Sequence, residues 1–250
     1  MANPFTWPKG KHAALSLTFD DARLSQMDRG LPLLDKHGVK ATFYVSMSTM
    51  HQRLDGWKRA IANGHEVGNH TFSHPCTGNF GWSRNAALEN YDLAKMEEDI
   101  IKSNAEIQKA LGVKTTTFAF PCGQKFVGRG EKTHSYVPLI AKHFIAGRGF
   151  RDETANDPAF CDLAQLCGQD SDSQPFAQLK PWIDDAVKTG KWTIFVSHEV
   201  GDTVRQTMPP EVLETICRFA NDPANGIWID TVANIAKYVR DTRRALGVTY

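Results

Sequence analysis

The stretch LSLTFDDARLS, residues 15–25, decides how the chain is read. The run AALSLTF (13–19) is built of strand-forming residues and bounded by polar ones, so it predicts a buried strand. It ends in two adjacent carboxylates, Asp20 and Asp21, whose charges repel. Solvent, a proton or a cation must offset that repulsion.

Working outward, similar runs recur. Strands are predicted at Ala13–Phe19, Ala41–Val45, 65–70, Thr116–Phe120, His143–Gly147, Cys161–Leu166, Thr193–Ser197 and Ile227–Ile229. Helical patterns fall between several of them. Segment 25–38 stops at Gly38, 56–65 at Gly64, and the longest, 87–112, at Gly112. Three more lie at 178–190, 209–222 and 231–246, the second with Pro at its start. Alternation of strand and helix argues for a parallel sheet with helices outside it, and about eight such units favour a (β/α) barrel over an open sheet. The 250 residues suit one domain spanning 1–250, and a hydrophobic fraction of 41% supplies a core. The Gly-rich, basic segment 122–138 reads as a long functional loop.

Lys and Arg number 29 against 28 Asp and Glu, a formal charge of +1, so no global field points to nucleic acid or an anionic membrane. No run approaches the roughly 20 apolar residues of a membrane span, and the first residues lack the apolar core of a secretory signal. The expectation is a soluble protein, cytoplasmic as written, with export open if a leader was removed. The five cysteines, odd in number and without CxxC spacing, argue for mostly free, buried thiols.

Chemistry in such a barrel gathers where strands end. Asp20 and Asp21 follow the first strand, His70 and His74 the third, Pro121, Cys122 and Gly123 the fourth, Arg148 the fifth, and His198 and Glu199 the seventh. The histidines of NHTFSHP (69–75) stand four apart, a spacing that also suits one face of a helix or two unrelated surface residues. With a carboxylate they make the two-histidine, one-carboxylate set that binds Zn²⁺ or another divalent ion and leaves positions open. One of Asp20 and Asp21 supplies that ligand; the other can take a proton from water. WTIFVSHEVG (192–201) puts His198 at the end of an apolar strand, as a core histidine or as a general acid. Glu199 is a candidate to orient it.

TFDD (18–21), HTFSH with its adjoining Pro (70–75) and FVSH (195–198) resemble, in order and spacing, the first, second and fifth motifs of the family 4 carbohydrate esterases, the polysaccharide deacetylase or NodB-homology family. The resemblance runs from about residue 13 to 240. It implies a distorted (β/α) barrel of seven to eight strands that removes acetyl groups from sugars. It implies Asp20 as base, Asp21, His70 and His74 as metal ligands, and His198 as acid. The third motif departs: FAFPCG (118–123) has Ala119 where the family carries Arg and Cys122 where it carries an aromatic residue. Arg148 is the first candidate to replace that arginine, and Arg129 the second. The oxyanion donor that the family draws from the aromatic position is a backbone N–H, which Cys122 retains. The family's fourth-motif aspartate falls among Asp152, Asp157 and Asp162. If Cys76 and Cys122 line the same mouth, they are neighbours and a disulfide between them becomes a hypothesis.

The expected function is therefore a metal-dependent hydrolase, with Zn²⁺, that deacetylates a saccharide. Phe80 and Trp82 would stack on its rings, and Arg84, Lys125, Arg129 and Arg148 would favour an acidic sugar if they share the cleft. Two alternatives stand: a C–N hydrolase of the same fold acting on small amides or cyclic imides, and an inactive carbohydrate-binding barrel.

Overall fold

A computed structural model describes residues 5–202 and 205–248. Strand β1, Ala13–Asp20, is buried along all eight residues. Its side chains alternate: Leu15, Leu17 and Phe19 join the apolar layer under the helices, while Ser16, Thr18 and Asp20 take the other face. After it come α1 (Leu31–Lys36), β2 (Thr42–Val45), α2 (Leu54–Ala62), β3 (Glu66–Asn69), α3 (Leu93–Leu111), β4 (Thr117–Ala119), α4 (Val137–His143) and β5 (Ala146–Arg148). The chain continues through β6 (Gln169–Asp170), α5 (Phe176–Thr189), β7 (Trp192–Ser197), α6 (Pro210–Asn221), β8 (Ile227–Ile229) and α7 (Val232–Ala245).

Among the described residues these strands form one parallel sheet in the order β5-β4-β3-β2-β1-β7-β6. One edge of β1 serves two partners in turn, β8 against Ala13–Leu15 and β2 against Thr18–Asp20. The sheet curls until β5 meets the segment before β6 at a single bridge, Arg148 to Leu166. There Gly149 N–H donates to Leu166 C=O and Leu166 N–H to Gly147 C=O, both at 2.7 Å. This is the distorted, barely closed barrel the sequence predicts. Closure by one bridge leaves the mouth open as a cleft.

Local rules explain several helix ends. Asp92 accepts from Lys95 N–H at 2.8 Å and starts α3, which Gly112 ends in the left-handed region. The predicted helix therefore begins later than residue 87; residues 88–90 form a 3₁₀ turn instead. The predicted strand Cys161–Leu166 is also corrected. Asp162 accepts from Ala164 N–H at 2.9 Å, and this local cap turns Leu163–Gln165 into a 3₁₀ helix; the strand of that region is Gln169–Asp170. The strand placed at His143–Gly147 starts only at Ala146, because His143 ends α4. Segment 122–138 is a small antiparallel hairpin, Phe126–Val127 with His134–Ser135, running into α4.

Candidate active site

Each chemical residue sits where a strand ends, and the chain turns sharply there. Asp21, Ala22, Thr71, His74 and Cys122 all have φ between 48° and 73°, costly for residues with a Cβ and tolerated where surroundings hold them. The turn carrying the histidines shows how. It is not a helix. Thr71 N–H donates to Asn69 Oδ1 at 2.6 Å and His74 N–H to Thr71 Oγ1 at 3.1 Å. Asp99 reaches in from α3 and accepts from Phe72 N–H, Ser73 N–H and Ser73 Oγ at 3.1, 3.2 and 2.6 Å.

The turn delivers His70 Nε2 and His74 Nε2 to 3.5 and 3.2 Å from Asp21 Oδ1. His70 Nδ1 lies 2.9 Å from the carbonyl of Ala119, so that nitrogen carries the proton and Nε2 keeps its lone pair. Burial drives the His70 pKa down to about 4, against the nearby carboxylates, so the ring is neutral. One ligand atom from each of Asp21, His70 and His74 falls within 4.8 Å of the others. Two imidazoles and a carboxylate at that spacing fit a divalent ion of the zinc type.

Asp20 is buried beside this group and pairs with the Arg148 guanidinium, itself buried. Burial alone would raise the Asp20 pKa, but the charge and hydrogen bond of Arg148, with the charge of His198, override it and hold the carboxyl below its ordinary value. Arg148 also donates to Gly149 C=O at 3.0 Å and lies 4.8 Å over the Tyr44 ring. Gln26 donates to the backbone carbonyls of Asp20 and His198, at 2.6 and 2.8 Å, and so ties the ends of β1 and β7 together.

His198 Nδ1 is 2.6 Å from Asp172 Oδ2, and its N–H donates to Asp172 Oδ1 at 3.1 Å. Burial opposes charge on this ring, yet the Asp172 hydrogen bond and the charges of Asp20, Asp172 and Asp21 outweigh it, so the pKa is raised. Asp172, in QDSDS (169–173), escaped the sequence reading; its only signal was a polar cluster two residues past an unrecognised strand. The three aspartates proposed for this place sit elsewhere. Asp152 accepts from Gly168 N–H, while Asp157 and Asp162 cap local turns. Glu199 does not orient His198 but binds Ser25 Oγ.

Asp20, Asp21, His70, His74, Cys122 and His198 line one cleft of about 850 Å³. Among the described residues the Cys122 N–H has no protein acceptor. Phe80 and Trp82 line the same cleft, stacked 5.4 Å apart, and Trp82 is 63% exposed and 5.9 Å from His74. Phe150 packs 5.6 Å from His198 across from them. Arg129 is not brought there. It is exposed and donates to Asn90, so neither its substrate role nor its place as a substitute for the motif arginine holds. Arg84 and Lys125 are also outside the cleft wall; the cations on it are Arg23, Arg151 and Arg205. Arg148 lies beneath it, spent on Asp20. Cys76 and Cys122 form a disulfide, and Cys161, Cys167 and Cys217 are free. Among the described residues no helix is long and apolar enough to cross a membrane.

Known proteins share this fold. The family model for polysaccharide deacetylases matches residues 8–133. A peptidoglycan-N-acetylglucosamine deacetylase of Listeria monocytogenes is 32% identical over 118 residues, 46% of this chain and 23% of that protein. The chain matches less than a third of the length of the first such relatives. Among solved structures, a Mycobacterium smegmatis protein assigned to the polysaccharide deacetylases superposes with TM-score 0.69 at 17% identity, covering 99% of this chain and 96% of that one. A family 4 acetyl xylan esterase from Clostridium thermocellum, in complex with a cobalt ion, gives 0.57 at 23% identity, covering 94% and 93%.

Proposed function

This chain belongs to the polysaccharide deacetylase family, and from that premise we propose that it works as a single catalytic domain, a metal-dependent hydrolase that releases acetate from an acetylated saccharide. The observation that carries the reading is the convergence of Asp20, Asp21, His70, His74, Cys122 and His198 on one cleft. Asp21, His70 and His74 would hold the ion, which when bound polarises the acetyl carbonyl and makes water a stronger nucleophile. Zn²⁺ suits their chemistry.

The remaining steps belong to the protein. Asp20, kept ionised by Arg148, takes the proton from the attacking water. Arg148 thereby serves where the family's motif arginine is replaced by Ala119. The Cys122 N–H donates to the carbonyl oxygen as it gains charge. His198, protonated through Asp172, gives its proton to the departing sugar oxygen or nitrogen. Phe80 and Trp82 offer an aromatic wall on which a sugar ring stacks. The Listeria relative, described as acting on peptidoglycan N-acetylglucosamine, supports an N-acetyl sugar as the first substrate to try.

The test is acetate release from N-acetylglucosamine oligomers, peptidoglycan fragments and acetylated xylan, beside ring opening of small cyclic imides, with metal content tracked by elemental analysis. Metal-dependent acetate release is expected. Turnover of imides without acetate release would transfer the site to the C–N hydrolases. Sugar binding with no turnover under any divalent ion would make the barrel a binding module. Asp20→Asn is expected to lower turnover by about 10²- to 10⁴-fold while metal is retained.

A further inference from the structure

The Cys76–Cys122 disulfide enters the proposed reaction only through the Cys122 backbone. It joins the segment after His74 to the turn after β4, with Cα atoms 6.1 Å apart. Its neighbour is one of the three candidate metal ligands. His74 turns Nε2 toward Asp21, at 3.2 Å, and Nδ1 toward Cys76 Sγ, at 3.8 Å. The two sulfurs and a nitrogen of His74 lie within 4.8 Å of one another. With bonds of about 2.3 Å to sulfur and 2.0 Å to nitrogen, a tetrahedral zinc centre needs S···S of about 3.8 Å and S···N of about 3.5 Å. The Cys76–His74 pair already stands near that spacing. Only the two sulfurs, now bonded to each other, would have to part.

We propose that Cys76 and Cys122 form a second, latent metal site. Once reduced, their two sulfurs and His74 Nδ1 bind a soft divalent ion such as zinc and draw His74 away from Asp21 and His70. The proposal rests on the proposed function only for the role of His74 toward Asp21 and His70; the sulfur site stands on geometry. Thiolates outcompete carboxylates for zinc-type ions, and a neutral imidazole ligates through one nitrogen while the other keeps its proton. His74 therefore serves one ion or the other. In the oxidised protein the disulfide withholds both sulfurs, and the oxygen- and nitrogen-based site has His74 to itself.

The chemistry balances with a dithiol as reductant. Its thiolate attacks the sulfur of Cys122, a residue that lines the cleft, while Cys76 is buried; the S–S bond breaks and Cys76 leaves as thiolate. The second thiol of the reductant displaces Cys122 from the mixed disulfide. Two electrons and two protons pass to the protein, and the dithiol becomes a cyclic disulfide. Both protein thiols lose their protons when the metal binds.

Cobalt absorption tests this without reference to substrate. The full chain is stripped of metal, and one half is reduced with a phosphine, which takes oxygen from water to become its oxide and adds no competing thiol. Oxidised protein is expected to bind cobalt without a thiolate-to-cobalt charge-transfer band. Reduced protein is expected to show that band, and Cys76→Ser, reduced in the same way, to lose it. Cys122→Ser, which keeps the backbone N–H, is a second variant should the first fold poorly. Reduced protein with all five thiols titratable and no band overturns the proposal. So does a band that survives both substitutions, since Cys161, Cys167 or Cys217 would then be its source. A band on reduction, with no acetate release from the oxidised protein, sinks only the proposed function; acetate release by the oxidised protein, with no band on reduction, sinks only the latent site.

Discussion

At His198 a buried imidazole meets a buried carboxylate, and the pair sets the chemistry that ring can do. A histidine with a raised pKa stays protonated to higher pH than an ordinary one, and its acid form is lost as pH climbs through the raised value. Activity should therefore fall on the alkaline side above the ordinary histidine range. Asp172→Asn removes the charge that faces Nδ1, and the alkaline limb of kcat/KM is expected to move to lower pH, with a lower plateau. A limb that stays in place would take Asp172 out of this role. At this scale much of the site was legible. Asp20, Asp21, His70, His74, Cys122 and His198 all stand at or shortly after the end of a predicted strand, and all six line the cleft. Glu199 was the wrong neighbour because adjacent residues on a strand point to opposite faces. Its carboxylate turns away to Ser25.

Elements hold those residues in place, and two carboxylates packed among them, Asp99 and Glu66, show how. Asp99, on α3, holds the histidine turn through three hydrogen bonds, yet in sequence it is one polar residue in a helix like its neighbours. Glu66, at the start of β3, accepts from Thr42 Oγ1 at 2.8 Å and from Ala233 N–H at 2.9 Å, which seats the first turn of α7 against the sheet. Burial pushes its pKa up, against the hydrogen bonds from Thr117, Ala233 and Thr42 that favour the charged form. A carboxyl whose folded pKa is raised binds its proton more tightly in the native state. That contribution is present below the ordinary glutamate value and lost as pH rises past it. Glu66→Gln keeps an acceptor without the buried charge. It is expected to raise the unfolding midpoint at neutral pH and to flatten its fall with rising pH, measured by thermal melts across a pH series. Destabilisation equal at all pH values would show that the hydrogen bonds, not the charge, dominate.

Among the described residues one β-bridge, Arg148 to Leu166, closes the sheet, and the candidate metal-binding set spans two strand ends. Asp21 comes from the end of β1, and His70 and His74 from the turn beyond β3. An ion bound there links parts of the chain that unfolding would separate. At 100 times its dissociation constant, free ion should stabilise the fold by about 2.7 kcal/mol. Added zinc is therefore expected to raise the unfolding midpoint of the metal-stripped protein. His70→Ala should abolish both that shift and retained metal, read by calorimetry and elemental analysis. An equal shift in the variant would place the ion elsewhere.

The sequence by itself determined the alternation of strand and helix, which residues stand at strand ends, and the family, because periodicity and short motifs are local and survive without knowledge of the fold. Only the tertiary structure decided the pairings. Arg148 meets Asp20 across 128 residues, Asp172 meets His198 across 26, and Cys76 meets Cys122 across 46. It also decided that Arg129 points away and that segment 161–166 turns instead of extending. The Arg148–Asp20 pairing depends on how far the sheet curls before its edges meet. Curvature is set by side chains packing across the whole barrel, and no single stretch of residues encodes it.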